Sequence, residues 1–444
     1  MSSLSFSREI PVRHEVDVFV AGGGPAGAAA AVAAARQGAS VYLAEGQASF
    51  GGMGTAGMVP AFMQFGDGVN FLAGGIGREI YDCLWDAGGA GPRDRRDEGR
   101  CTCGIRAEVL KRVYDELVTA ESQIRFTFLT QVVAVEHAGG RIHAAVCWGK
   151  SGLFAVRARM FVDGTGDGDL AAWAGAPFEK GDPGGVMMPG TLCSLWANID
   201  WEAAWASPVK PYDRLQQAIA DGVFTQPDRH LPGIWPVSPT CGGGNINHLF
   251  GIDGTDERSV TEGMLTGRRI IPEYERFYKQ YLKGYERMEL VGSGALPGIR
   301  ETRRITGDYV LGMEDFHRRA TFDDEIGRYS YPVDIHPAST DPADFDKFKA
   351  EFTTLRLGEG ESYGIPYRCL RPRGLSNVLV AGRCVSTDRA MQASIRVMPG
   401  CYITGQAAGV AAALAAGRDC DSRKVPVGEL QKRLKAMGGY LPNA

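Results

Sequence analysis

The segment Val16–Glu45, VDVFVAGGGPAGAAAAVAAARQGASVYLAE, decides the fold. Val16–Ala21 is short, apolar and β-branched, as a strand buried on both faces requires. Gly22-x-Gly24-x-x-Gly27 follows it. An Ala-rich helix then runs to about Gln37, and Gly38 stops it as a C-terminal cap. Val41–Ala44 is a second strand, with Glu45 at its end. This is a complete βαβ unit. Each glycine has a separate task. Gly22 turns the chain, Gly24 lets backbone approach a pyrophosphate, and Gly27 lets helix and strand pack closely. Pro25 and Ala26 open the helix, whose N-terminus presents free amides and a positive dipole end to phosphate. Glu45 stands where a carboxylate would accept hydrogen bonds from ribose hydroxyls.

The motif alone permits NAD or FAD. Glu45–Thr55, EGQASFGGMGT, narrows the choice. A Gly51-Gly52 turn after the acidic strand end brings backbone to a flavin diphosphate and ribityl chain. Gly46, Gly51, Gly52 and Thr55 are therefore candidate FAD contacts. Phe161–Asp169, FVDGTGDGD, forms an amide-rich turn against the adenosine half, with Gly164 and Asp167 as contacts. It lacks the length and terminal Glu of a calcium loop, so no metal site is expected there. Val133, on a strand over Gln131–Glu136, is a further candidate contact. In Asn377–Ala416 a strand (Val378–Ala381) leads to Gly382 and Arg383. A small-residue helix over Gly400–Ala416 follows, and it contains Gly405, Gln406 and Ala407. Its N-terminus should face the flavin pyrimidine and stabilise negative charge there.

Between these segments, Arg106–Ala120 has helical spacing. Ile124–Phe128 reads as a strand. Arg141–Trp148 and Leu153–Val156 read as a hairpin, and Ala158–Val162 as a separate strand. From Pro177 to Gly360 the periodicity weakens. A long helix over Val260–Leu282 and strands over Gly307–Phe316 and Tyr329–Ile335 are expected there. The fold class is α/β: a Rossmann-like FAD-binding domain with an inserted α+β substrate domain. The first domain would be discontinuous, over 1–60, 105–176 and 363–444. A substrate or cap domain would span 61–104 and 177–362.

Val18–Thr55, Phe161–Asp169 and Tyr363–Ala416 together resemble the FAD-dependent oxidoreductases of the glutathione-reductase superfamily. The segments from Pro297 (PGIRETRRITGDYVL), Ser330 (SYPVDIH) and Ile365 (IPYRCLRPRGLSNVLVAGRCVS) are similar to a narrower family, one related to the flavin domain of heterodisulfide reductase. The resemblance implies FAD, two domains and redox chemistry, and names no substrate. This chain has no Cys-rich cluster motif, and Cys101-x-Cys103 is too small a set to hold an iron–sulfur cluster. No second GxGxxG announces an NAD(P) domain.

The substrate should meet the flavin between the domains. Arg300, Arg303 and Arg304 form a basic group, one of which could clamp a carboxylate or phosphate. His336 is the candidate general base and, with Arg300 and Arg303, completes the catalytic set. Tyr331, Tyr363 and Arg368 are weaker candidates, while Arg383 and Arg396 flank the expected flavin position as candidate contacts to its phosphate or to the substrate. Trp196–Trp205 reads as core. The expected reaction is hydride transfer between flavin N5 and a small polar organic substrate, an anionic one being an option. The alternative is a flavin electron-transfer subunit working with a protein partner.

A formal charge of -4 argues against a dedicated nucleic-acid binder. No run of ~18 apolar residues suggests a membrane span. No signal-like segment precedes the first strand, so a cytoplasmic location with reduced cysteines is expected. A homo-oligomer or an electron-transfer partner is left open.

Overall fold

The structure is a computed structural model that describes residue 4 and residues 7–444. Residues 1–3, 5 and 6, which open the first expected domain ahead of the first strand, lie outside the described residues. A seven-stranded sheet organises the chain. Its order is Ile124–Thr127, Val41–Ala44 (β2), Val12–Ala21 (β1), Gly152–Asp163, Arg141–Gly149 and Gln131–Ala138. β1 and β2 are parallel, as the crossover through helix α1 (Pro25–Arg36) demands. This is a Rossmann-like α/β architecture.

Two expected strands are one. Gly152–Asp163 runs unbroken, because Arg157 turns its side chain to solvent without leaving the ladder. One edge of this long strand does two jobs. Its first half pairs antiparallel with Arg141–Gly149. Its last residues pair parallel with Val378–Val380, in register Val378↔Phe161. The C-terminal segment thus completes the sheet begun by the N-terminus.

The Ala-rich composition of α1 has a packing reason. The helix Met398–Gly417 crosses it so closely that a Cβ on Gly405 would lie 2.2 Å from the Ala26 carbonyl oxygen, and one on Gly409 2.1 Å from that of Ala30. Only small residues permit that approach. Both helices are almost wholly buried. Among the described residues no single helix is long and apolar enough to cross a membrane.

A second hydrophobic cluster spans Leu192–Met288. It contains Trp196 and Trp201, as expected of core tryptophans. A four-stranded antiparallel sheet and the helix Glu257–Tyr281 enclose it. Asp256 caps that helix by accepting from the backbone N–H groups of Arg258 and Ser259. This cluster is smaller than the expected second domain. Residues Phe62–Ile105 and Ile305–Leu357 pack into the first core instead.

The strands expected over Gly307–Phe316 and Tyr329–Ile335 are displaced. The strands are Arg303–Ile305 and Glu325–Tyr329. Met313–Arg318 is a short helix, whose Asp315 carboxylate accepts from the Gly312 N–H. Pro332 ends any ladder beyond Tyr331, since it has no N–H to give.

Candidate cofactor cavity and active site

Gly22 adopts φ +83°, in the left-handed region that glycine tolerates. A Cβ on Gly27 would sit 1.8 Å from the Gly22 carbonyl oxygen. The loop is therefore pinned onto the helix at this point. Gly24, in contrast, faces open space: a Cβ there would meet nothing within 4 Å. That space is one end of a cavity of about 840 Å³.

Gly22, Gly24, Pro25, Ala26, Glu45, Gly46, Gly52, Gly164, Asp167, Gly382 and Arg383 all line this cavity. Glu45 is buried and accepts from the backbone N–H groups of Gly23 and Gln47, each at 2.6 Å. Burial raises its carboxyl above the ordinary range, and those two amides oppose the shift. Asp163 accepts from Thr165 and Ala171, which folds the Gly-rich turn back on itself. Burial lifts Asp163 to about 6. Arg383 donates to Asp167 and to the carbonyls of Gly166 and Ile299, and so ties that turn to the Ile299 segment.

Several expected contacts stand elsewhere. Val133 is 43% exposed, because strand alternation turns Val132 to the cavity and Val133 away from it. Gly51 packs on the Tyr114 ring, and the Thr55 hydroxyl donates to the Phe50 carbonyl, so both shape the turn from behind. Gly405, Gln406 and Ala407 lie two turns inside their helix. Gln406 accepts from the Ile76 N–H, and Gly405 packs on α1. The helix starts earlier than expected, at Met398. Its first turn meets the cavity through Val397, Met398 and Cys401.

Two helix N-termini, those of α1 and of Met398–Gly417, therefore open on the cavity. Neither has a side-chain cap or an acidic residue in its first turn. Their amides and dipoles favour an anionic or electron-rich ligand. The open face of Gly24, the buried Glu45 and these two termini fit FAD.

The far end of the cavity is polar. Arg300, Tyr331, Asp334, His336 and Arg396 line it, with His230 beside them. Arg300 is buried and donates to the Pro189 carbonyl and to Thr191 and Asn245. Burial and nearby Arg396 lower its guanidinium to about 10. Arg396 donates to the Asp334 carbonyl and carboxylate, while its buried Nε has no partner. Burial would raise Asp334, yet His336, Arg396 and Arg300 outweigh it and hold the carboxyl below the usual range.

His336 reaches the cavity as expected, but both its ring nitrogens are engaged. Nδ1 lies 2.9 Å from His248 Nε2, and Nε2 lies 3.3 Å from Asp334 Oδ2. Burial and Arg300 lower it to about 3. A solitary general base needs a free nitrogen of higher basicity, so that expectation is revised. Arg303 also departs from the catalytic role. It pairs with Asp169 at 2.6 Å and does not line the cavity. Arg304 pairs with Glu301 inside the protein, Arg368 with Asp324 and Tyr363 with Ser394.

His230 and His248 carried no expectation. A usable signal existed: Asp228-x-His230 and Asp334-x-His336 repeat one triplet. All ten cysteines are free thiols. Cys103 is buried, which raises its thiol, and alkylation of the folded protein is expected to spare it while modifying exposed Cys83. Mass spectrometry of iodoacetamide-treated protein checks this.

Solved structures of similar fold include the myxobacterial chondrochloren halogenase, at 14% identity and TM-score 0.45, covering 95% of this chain and 79% of that one. A geranylgeranyl bacteriochlorophyll reductase-like protein from Thermoplasma acidophilum matches at 13% identity and TM-score 0.43, covering 96% and 83%. The p-nitrophenol 4-monooxygenase of Pseudomonas putida matches at 14% and 0.41, covering 67% and 70%. No curated protein matches the chain significantly. The sequence model of one family, described as FAD dependent oxidoreductase, matches residues 17–434. That match takes in the glycine loop, the Asp163 turn and the C-terminal strand that builds the cavity. The chain belongs to the FAD dependent oxidoreductase family, and its cofactor is FAD.

Proposed function

We propose that this oxidoreductase oxidises or reduces a small polar, anionic organic substrate held at the far end of the cavity. One observation carries the reading: a single cavity joins the dinucleotide loops to a pocket with surplus positive charge. Arg300 and Arg396 face one carboxylate there, that of Asp334. A buried cation excess recruits an anion. Arg396 has the better-placed spare donors, because its Nε has no partner. Phe348 and Phe352 supply an apolar wall that keeps water out. FAD, when bound, supplies a two-electron donor or acceptor through N5. The chain binds the substrate anion, orients its reacting carbon and limits solvent access.

We also infer that the chain lies close to the flavin domain of heterodisulfide reductase within the glutathione-reductase superfamily. The resemblance of the segments from Pro297, Ser330 and Ile365 to that family supports this.

The test is anaerobic bleaching of the FAD-loaded protein by a library of small carboxylates and phosphates beside neutral isosteres. Bleaching by anionic members alone is expected. Bleaching only by a reduced partner protein would favour an electron-transfer role instead. Arg396→Met is expected to weaken the apparent affinity for a bleaching anion roughly 10–100-fold, the worth of one or two charge-assisted hydrogen bonds. Flavin content should not change, and Arg396→Lys should recover part of the loss.

A further inference from the structure

We propose that His230, His248 and His336 form a binding site for one divalent transition-metal ion. Each histidine comes from a different loop: before the strand Gly233–Pro236, after the strand Gly242–Asn245, and after Glu325–Tyr329. They are 8%, 1% and 6% exposed. One nitrogen from each lies within 4.8 Å of the other two.

The carboxylates behind two of the rings point to a cation between them. Asp228 Oδ2 approaches His248 Nδ1 to 2.9 Å, although the contact is too poorly aligned for a well-formed hydrogen bond. Asp334 Oδ2 lies 3.3 Å from His336 Nε2. A carboxylate beside an imidazole nitrogen favours the proton on that nitrogen. Neutral rings that carry their protons on those two nitrogens keep lone pairs on His248 Nε2 and His336 Nδ1. Those two atoms face each other at 2.9 Å. Two lone pairs at that distance repel unless a positive centre lies between them.

His230 is the independent observation. Neither of its ring nitrogens has a partner, although the ring is buried. A buried imidazole with both nitrogens idle is costly. Its ring lies 4.7 Å from that of His336 and 5.0 Å from that of His248, and Phe348 closes the outer side. A metal shared by the three rings resolves both problems. Zinc–imidazole bonds of about 2.1 Å would set the nitrogens roughly 3.4 Å apart. The close pair need only open slightly.

The surroundings match metal-site chemistry. Carboxylates behind ligating histidines fix the tautomer and raise ligand basicity. Asp228 and Asp334 also provide two negative charges against a dication. Three neutral imidazoles suit zinc, cobalt, nickel or ferrous iron better than calcium or magnesium. His230 and His336 line the cavity, so a fourth position would face the polar end.

The full-length FAD-loaded protein, stripped with EDTA, is dialysed against excess Zn²⁺ and separately Co²⁺. It is then freed of unbound ion by gel filtration and analysed by plasma mass spectrometry. About one ion per chain is expected, with a cobalt difference spectrum of histidine coordination. Asp228→Asn should weaken zinc affinity roughly 10–100-fold, and His230→Ala at least as much. Less than about a tenth of an ion per chain, with the flavin spectrum intact, overturns the proposal. It would leave a proton shared by His248 and His336 as the positive centre. Folded His230→Ala protein that binds zinc as tightly as the unaltered chain also overturns it. If that variant fails to fold, the metal content and cobalt spectrum of the unaltered protein decide. The readout needs no turnover, so its failure would leave the redox reading standing.

Discussion

Gly27→Ala is expected to yield protein that no longer retains FAD. The added methyl would lie 1.8 Å from the Gly22 carbonyl oxygen, well inside contact distance. Neither partner can yield cheaply. Gly22 is held at φ +83° by the turn, and Gly27 is also pressed by Gly164, whose own Cβ would lie 2.9 Å from the Gly27 Cα. The loop must lift off the helix, which moves the free amides away from the phosphates. A loss of at least about 3 kcal/mol, or roughly 100-fold in FAD affinity, follows from strain of this size. Titration of apoprotein with FAD by calorimetry measures it. Gly24→Ala is the informative contrast. Its methyl would meet no protein atom and would project into the cavity. That variant should fold with unchanged stability and still bind FAD more weakly. Equal FAD affinity in all three proteins would overturn the assignment of this loop to the cofactor.

Glu301→Gln is expected to cost about 3–5 kcal/mol of stability, because it leaves the buried Arg304 guanidinium with no charged partner but the exposed Glu179 at 3.4 Å. The Glu301 side chain is fully buried. It accepts from Arg304 Nη1 at 2.6 Å, from Arg389 Nε at 3.1 Å and from the Met188 N–H at 2.9 Å. Arg304 is only 4% exposed in its side chain and cannot reach water. The double variant Glu301→Gln/Arg304→Met should recover much of the loss, since an apolar side chain of similar volume needs no counter-charge. Urea denaturation of the single and double variants supplies the comparison. A single-variant loss under about 1 kcal/mol would mean that the pair is solvated. Arg304→Met alone should leave the apparent affinity for a bleaching anion unchanged, in contrast to Arg396→Met.

The arginine cluster shows how far residue type carries. Arg300, Arg303 and Arg304 are chemically equal in the sequence, and each has the chemistry of an anion clamp. Packing separates them. Arg300 reaches the cavity, Arg303 turns to Asp169, and Arg304 turns inward to Glu301. Their carboxylate partners are contributed by other elements, so no local pattern could have sorted them. The same holds for Gln406. Its place in a Gly-rich run suggests a cofactor contact, and it instead ties its helix to Ile76.

Local chemistry was sufficient for the βαβ opening, the cofactor and the strand–turn–helix that closes the chain. Glycine φ preferences, helix dipoles and strand alternation act over a few residues, so their imprint stays in the sequence. The polar pocket was decided by the tertiary structure. His230, His248 and His336 lie far apart in the chain, and the Asp-x-His triplet shared by two of them does not reach His248 or show that the three meet. Their meeting depends on two hydrophobic clusters folding against one cavity. The protonation of His230 and His336 depends on the burial and charges found only there. Long-range packing sets both, which is why Gly22, Gly24 and Gly27 were legible from the sequence and the histidine cluster was not.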